Sequence, residues 1–121
     1  MPDNETIIDL DNALKRALGD GAFLNMLFDE FQRMLPEFMI RIDQAIAGKE
    51  MVLLSKEAHQ LKGSAANLGA NEIAGAALRL ERLAKNGSYT EAASVLDDLT
   101  LAISRFDAQL ARIEWSRLID G

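Results

Sequence analysis

The chain has no cysteine, and its 121 residues include one histidine, one tryptophan, one tyrosine and two prolines. Without cysteine there is no disulfide framework, no thiolate nucleophile and no Cys-based metal or redox site. A metal centre would have to be built from carboxylates around one imidazole, and no metal site is expected. The adjacent acids Asp97 and Asp98 do not supply one, because successive residues on a helix point in different directions. Basic residues are also in deficit: Lys and Arg number 13 against 19 Asp and Glu, a formal charge of −6. No Lys/Arg stripe is concentrated enough to overcome that charge locally, so nucleic acid is not an expected partner. Long apolar runs are missing as well. The N-terminal MPDNETIIDLD has neither a basic start nor an apolar stretch, and resembles neither a signal peptide nor an anchor. A cytoplasmic location without direct membrane contact is the expectation. Gly48-Lys49 is followed by Glu50 and lacks the upstream glycine of a P-loop, so ATP binding is not expected either.

What is present is an ordinary globular composition, 49% hydrophobic and 26% charged. This suits one domain spanning residues 1–121, with a core over about residues 10–113. From Leu24 the apolar positions Phe28, Phe31, Leu35, Phe38, Ile42 and Ala45 follow in steps of four and three, which places them on one face of a long helix. Asp20 is placed to cap its first turn, and Pro36 should bend or interrupt it near Leu35. The same stepping returns at Leu54, Ala58, Leu61, Ala65 and Leu68, then at Ile73, Ala77, Leu80 and Ala84. It returns once more from Ala92 through Leu96, Leu99, Ile103, Phe106 and Leu110 to Ile113. Gly69 and Asn86-Gly87 read as helix stops, Asn71 as the cap of the helix between them, and Ser88 with Glu91 as a capping box for the last helix. With connections this short, successive helices must reverse direction. The expected fold is all-α, an antiparallel four-helix bundle. Ile7 to Leu18, apolar at Ile7, Leu10, Leu14 and Ala17 and closed by Gly19, adds a short N-terminal helix folded over one end. A bundle whose apolar stripes are satisfied internally is expected to be monomeric.

On a wheel of roughly 100 degrees per residue, His59 falls roughly 140 degrees from the core stripe of its helix and should face solvent. Lys62 at i+3 and Gly63 at i+4 are its neighbours, with Ser55 at i−4 along the same ridge. An isolated histidine is more often a solvated or structural residue than a functional one, and a lysine beside it is plausible as a solvated lysine. Gly63 is harder to set aside. Glycine inside a helix costs about 1 kcal/mol relative to alanine. Close helix packing could repay that cost, but the wheel puts Gly63 nearly opposite the core. A bare backbone beside an exposed imidazole instead lets another protein approach the ring. Imidazole is a good nucleophile near neutrality, and a mobile ammonium nearby can stabilise phosphoryl oxygens.

The run Ala58-His59-Gln60-Leu61-Lys62-Gly63-Ser64-Ala65-Ala66-Asn67-Leu68-Gly69-Ala70 closely resembles the phosphoacceptor helix of histidine-containing phosphotransfer domains, H-x-L-K-G-S-x-x-x-x-G. Leu80-Glu81 followed by Ala84 resembles that family's next helix, and the resemblance extends over Leu10 to Ile113. It implies that His59 accepts a phosphoryl group on Nε2 from a receiver-domain aspartate and passes it to another receiver in a multistep two-component phosphorelay. Lys62 is implied as the phosphoryl-neighbouring cation, Gly63 as the small access residue and Ser64 as the small hydroxyl after it. Glu81, 22 residues beyond His59, stands where the family has a Gln or Glu that accepts from Nδ1. The residues themselves leave a second reading of Glu81 open, an i,i+4 ion pair with Lys85. The implied protein is a phosphocarrier with no ATP-binding or turnover site and no bound cofactor, Mg2+ being expected on the receiver. Its implied partners are response-regulator receiver domains and a hybrid sensor histidine kinase. Two rivals stay open: a helical docking module in which His59 is silent, and the phosphoacceptor piece of a chemotaxis-type kinase.

Overall fold

The apolar stepping of the sequence is realised as helices. The computed structural model describes residues 7–120. Within them lie α1 (Leu10–Arg16), α2 (Gly21–Ala47), α3 (Met51–Asn67), α4 (Asn71–Asn86), α5 (Tyr89–Ala111) and α6 (Trp115–Asp120), with no strand among the described residues. Helices α2 to α5 form the bundle: α3 packs on α2 and α4, and α5 closes the ring against α4 and α2. Connections at residues 48–50, 68–70 and 87–88 are too short for anything but reversal, so sequential neighbours run antiparallel.

On α2, α3 and α4 the core follows the stripes read above. Leu24, Phe28, Ile42, Leu54, Leu61, Leu80, Leu99 and Phe106 are fully buried, and the ring of Phe106 lies 5.9 Å from that of Phe28 and 5.5 Å from that of Phe31, edge-on to the latter. On α5 the buried seam runs through Ala92, Val95, Leu99, Ala102 and Phe106, with Leu96, Ile103 and Leu110 flanking it half-buried.

Four local expectations are corrected. Helix α2 is not interrupted: it runs unbroken through Pro36, which is exposed. The carbonyl deprived of a ladder donor therefore sits on the wet side of the helix, while Leu35 and Phe38 keep their places in the core. Asn71 is not the cap of α4; Ala70 holds that position and Asn71 begins the helix. Ser88 does occupy the cap of α5, but no side-chain cap bond forms. Finally, the last stripe stops at Ala111, and the chain turns to make α6, an element absent from the sequence reading. Trp115 seats its ring 5.8 Å from Phe28, and a Cβ on buried Gly21 would lie 2.6 Å from the Leu118 carbonyl oxygen, so glycine is what lets α6 cross the start of α2.

The caps at Asp20 and Gly87 form as expected, with Asp20 accepting from the Phe23 amide at 3.0 Å. Helix α1 is shorter than the Ile7 to Leu18 segment; Asp9 caps it, and the Asp9 amide donates to the Gly69 carbonyl at 2.8 Å. Arg16 donates to the Ala66 carbonyl. The N-terminal segment is thereby fastened to the end of the helix that carries His59.

Gly69 (φ +69) and Gly19 (φ +78) share a left-handed backbone but differ in surroundings: a Cβ on Gly69 would meet the Asp9 carbonyl oxygen at 2.6 Å, and one on Gly19 nothing within 4 Å. Gly19→Ala should cost about 1–2 kcal/mol from conformation alone. Gly69→Ala should cost about 1–3 kcal/mol more, because the Asp9 backbone must shift. Urea unfolding midpoints compare the two; equal losses would mean that the Asp9 contact is dispensable.

Candidate functional site

Helix α3 presents two faces. Leu54, Ala58, Leu61 and Ala65 point into the bundle, and His59 stands on the other side with its side chain 65% exposed. Gly63 follows one turn on, and a Cβ added there would meet nothing within 4 Å. No packing contact explains this glycine. A mid-helix residue with open space around it pays the conformational cost of glycine without a structural return, so the bare backbone is surface available to something else.

The imidazole is held from the neighbouring helix. Glu81, on α4, is buried at 7% exposure, and its carboxylate is shared among three side chains. Oε1 accepts from the Lys62 ammonium at 2.8 Å, Oε2 accepts from Nδ1 of His59 at 2.9 Å, and the Lys85 ammonium stands 3.8 Å from Oε2. Both readings of Glu81 that the sequence left open are therefore present, with the contacts to His59 and Lys62 the shorter. The Lys62 hydrogen bond holds the Glu81 carboxyl below its ordinary value; burial pushes the other way, and the His59 hydrogen bond adds to the lowering. An ionised carboxylate can only accept, so Nδ1 of a neutral His59 must carry the ring proton. The lone pair is then on Nε2, at the opposite edge of an exposed ring. This arrangement supplies a fixed tautomer, a nucleophilic nitrogen open to solvent, and a negative charge that would steady positive charge developing on the ring.

Ser64 is not brought to this point. It lines a different, mostly apolar hollow of about 350 Å³ between α1, α2 and α3, together with Arg16, Leu27 and Met34. Ser55, by contrast, lines the open hollow of about 640 Å³ beside His59, as do Met51 and Val52. Val52 is 84% exposed, unusual for its type.

Glu57 escaped the sequence reading. It is buried at 6%, two residues before His59, and accepts from Nε of Arg41 on α2 at 2.6 Å. The Glu57 hydrogen bond raises Arg41 above its ordinary value against burial, and the guanidinium also lies 5.0 Å from the Phe38 ring centroid. The signal was available: Glu57 lies three residues after Leu54 and four before Leu61, inside the apolar stripe, where a carboxylate implies a buried partner.

Among the described residues no group of three or more His, Cys, Asp or Glu is placed to hold a metal ion, and no helix is long and apolar enough to cross a membrane. In comparisons with known proteins, the family model described as Hpt domain matches residues 26–112. No curated protein and no solved structure matched the chain.

Because its folded carboxyl is lowered below 4.5, Glu81 contributes stability that is fully present above that pH and lost as the pH falls through the lowered value. Glu81→Gln should therefore be less stable than the native chain at neutral pH, with the difference shrinking on acidification. Urea unfolding of both at pH 7 and pH 3 measures this, and a difference that stays constant would show that the carboxylate charge is not what the site uses.

Proposed function

The chain belongs to the Hpt domain family, and on that premise we propose that it is a phosphocarrier of a multistep two-component relay, with His59 as the acceptor. The observation that carries the reading is the 2.9 Å contact between Nδ1 and Glu81, which leaves Nε2 as the nucleophile on an exposed ring. In the forward step the Nε2 lone pair attacks the phosphorus of a receiver's aspartyl phosphate. The Nε2–P bond forms as the P–O bond breaks, and the aspartate leaves as a carboxylate. Nδ1 keeps its proton throughout, and the ring's gained positive charge faces Glu81. The second step reverses these bonds toward another receiver's aspartate. Lys62, one turn from His59, is the cation for the phosphoryl oxygens, and Gly63 is the bare backbone over which the receiver approaches.

The receivers, and a hybrid sensor kinase as the upstream source, are the proposed partners. Mg2+ is assigned to the receiver's own carboxylates. This chain serves as carrier rather than turnover enzyme, as a cytoplasmic monomer. Exposed apolar side chains near His59, Val52 above all, would contribute to the contact, surrounded by polar residues. The placement of Ser64 in a separate hollow argues for a part in that contact or in packing rather than at the phosphoryl group.

The test is to incubate the purified chain, beside His59→Gln, with a phosphorylated receiver and Mg2+ and to follow acid-labile, base-stable label. Label on the native chain alone is expected. Absence of label across several receivers, with helical circular dichroism intact, would favour a silent docking module; label from an ATP-binding kinase domain but from no receiver would favour the chemotaxis-type acceptor. Gly63→Ala separates access from folding. It should stabilise the domain by about 0.4–1 kcal/mol, since the added methyl meets nothing, while slowing receiver-dependent labelling. Unchanged labelling would remove the access role.

A further inference from the structure

One carboxylate faces two lysines as well as the histidine, which is more positive charge than it needs. Lys62 lies on α3, three residues after His59, so its ammonium shares a ridge with the ring nitrogen that takes the phosphoryl group. In the resting site that ammonium is not available: it is bound to Glu81 Oε1 at 2.8 Å, with a side chain only 30% exposed. Lys85 lies on α4, one turn after Glu81, with a side chain 66% exposed and its ammonium 3.8 Å from Oε2, within ion-pair range but beyond a hydrogen bond. It lines the same hollow as His59.

If Lys62 left Glu81 for an arriving phosphoryl group before the ring had gained its positive charge, and nothing replaced it, a carboxylate 9% exposed would lose its closest counter-ion. A desolvated charge without its partner is strongly disfavoured, so Lys62 would be held back. A second ammonium on a flexible stem, already poised at the carboxylate, removes that obstacle. We propose that Lys85 is a positioning residue for phosphotransfer: as the phosphoryl group reaches Nε2, Lys62 swings from Glu81 to the phosphoryl oxygens and Lys85 closes onto Glu81 in its place. Glu81 thereby keeps a counter-ion and its hold on Nδ1 through the reaction. The inference rests on the carrier reading of His59.

The experiment uses phosphoramidate, a small donor that needs no receiver. Nε2 attacks its phosphorus, the P–N bond breaks, and ammonia leaves with the protons already on that nitrogen. Phosphohistidine is followed by 31P NMR, and the ε-methylene resonances of Lys62 and Lys85 are recorded before and after. Both lysines should shift on phosphorylation. Lys85→Met should label about two- to fivefold more slowly, the size of an ion pair made by an exposed lysine, and Lys85→Arg should restore most of the rate. Lys56→Met, which removes another cation from the same hollow without touching Glu81, should label at the native rate. Lys62 or Lys85 unmoved beside a clear 31P signal, a native rate for Lys85→Met, or equal slowing by Lys56→Met would each overturn the exchange. No phosphohistidine on the native chain would instead remove the carrier reading, and the exchange with it.

Discussion

A carboxylate taken out of water must be paired, and in this protein that requirement fixes the helix that carries His59 on both of its sides. Toward α4, buried Glu81 requires a cation and a donor, and takes Lys62 and Nδ1 of His59, both from α3. Toward α2, buried Glu57 requires a partner and takes Arg41. Each contact crosses a helix interface, and each would leave an uncompensated charge if α3 slid or rotated. Hydrophobic stripes alone specify such settings loosely, since leucines and alanines tolerate small shifts. The ionic contacts are directional, so they determine where the imidazole points.

Most of the bundle was legible because its stripes are long and its connections short. Leu24 to Ala45 and Leu54 to Leu68 repeat often enough that one misread position changes nothing, and the left-handed glycines Gly69 and Gly87 punctuate them. What was lost lies where a single local signal had to decide. Pro36 signalled a bend or an interruption, but the helix continues through it, and its exposed position makes the missing donor inexpensive. Asn71 and Ser88 are good capping residues, but Asn71 already lies inside its helix and Ser88 makes no side-chain cap bond. The end of α5 carries neither Gly nor Pro, so the stripe read on to Ile113, and α6 is too short to announce itself by periodicity. At the site, the wheel located His59, Lys62 and Gly63 because all three follow from one helix, whereas Ser64 was named from the motif alone and belongs to another face. The partner of Glu81 could not be chosen from sequence, because Lys85 is one turn away on the same helix and His59 lies on the neighbouring one.

Three glycines illustrate why residue type alone underdetermines role. Gly21 is required because the Leu118 backbone passes over it, and Gly69 because it is left-handed with Asp9 pressed against it. Gly63 has neither reason: it is helical, exposed and surrounded by space. Gly75 on α4 also has open space around it, so it is the place of Gly63 beside the histidine, and not its openness alone, that singles it out.

A carrier must bind its cargo well enough to keep it and loosely enough to give it up, and on the reading proposed above the charges around His59 would act in both directions. A lysine free in solution would stabilise a phosphoryl group on His59 fully, deepening the phosphorylated state. Lys62 starts from an ion pair with Glu81, so any contact it makes with phosphoryl oxygens is offset by the contact it relinquishes. Glu81 in turn favours the positively charged ring while its own negative charge opposes the dianion arriving at the far nitrogen. The two effects would act in opposite directions on a phosphoryl group at Nε2, so they would partly cancel. On the proposed carrier reading, such a cancellation would suit transfer in either direction, according to which receiver is presented.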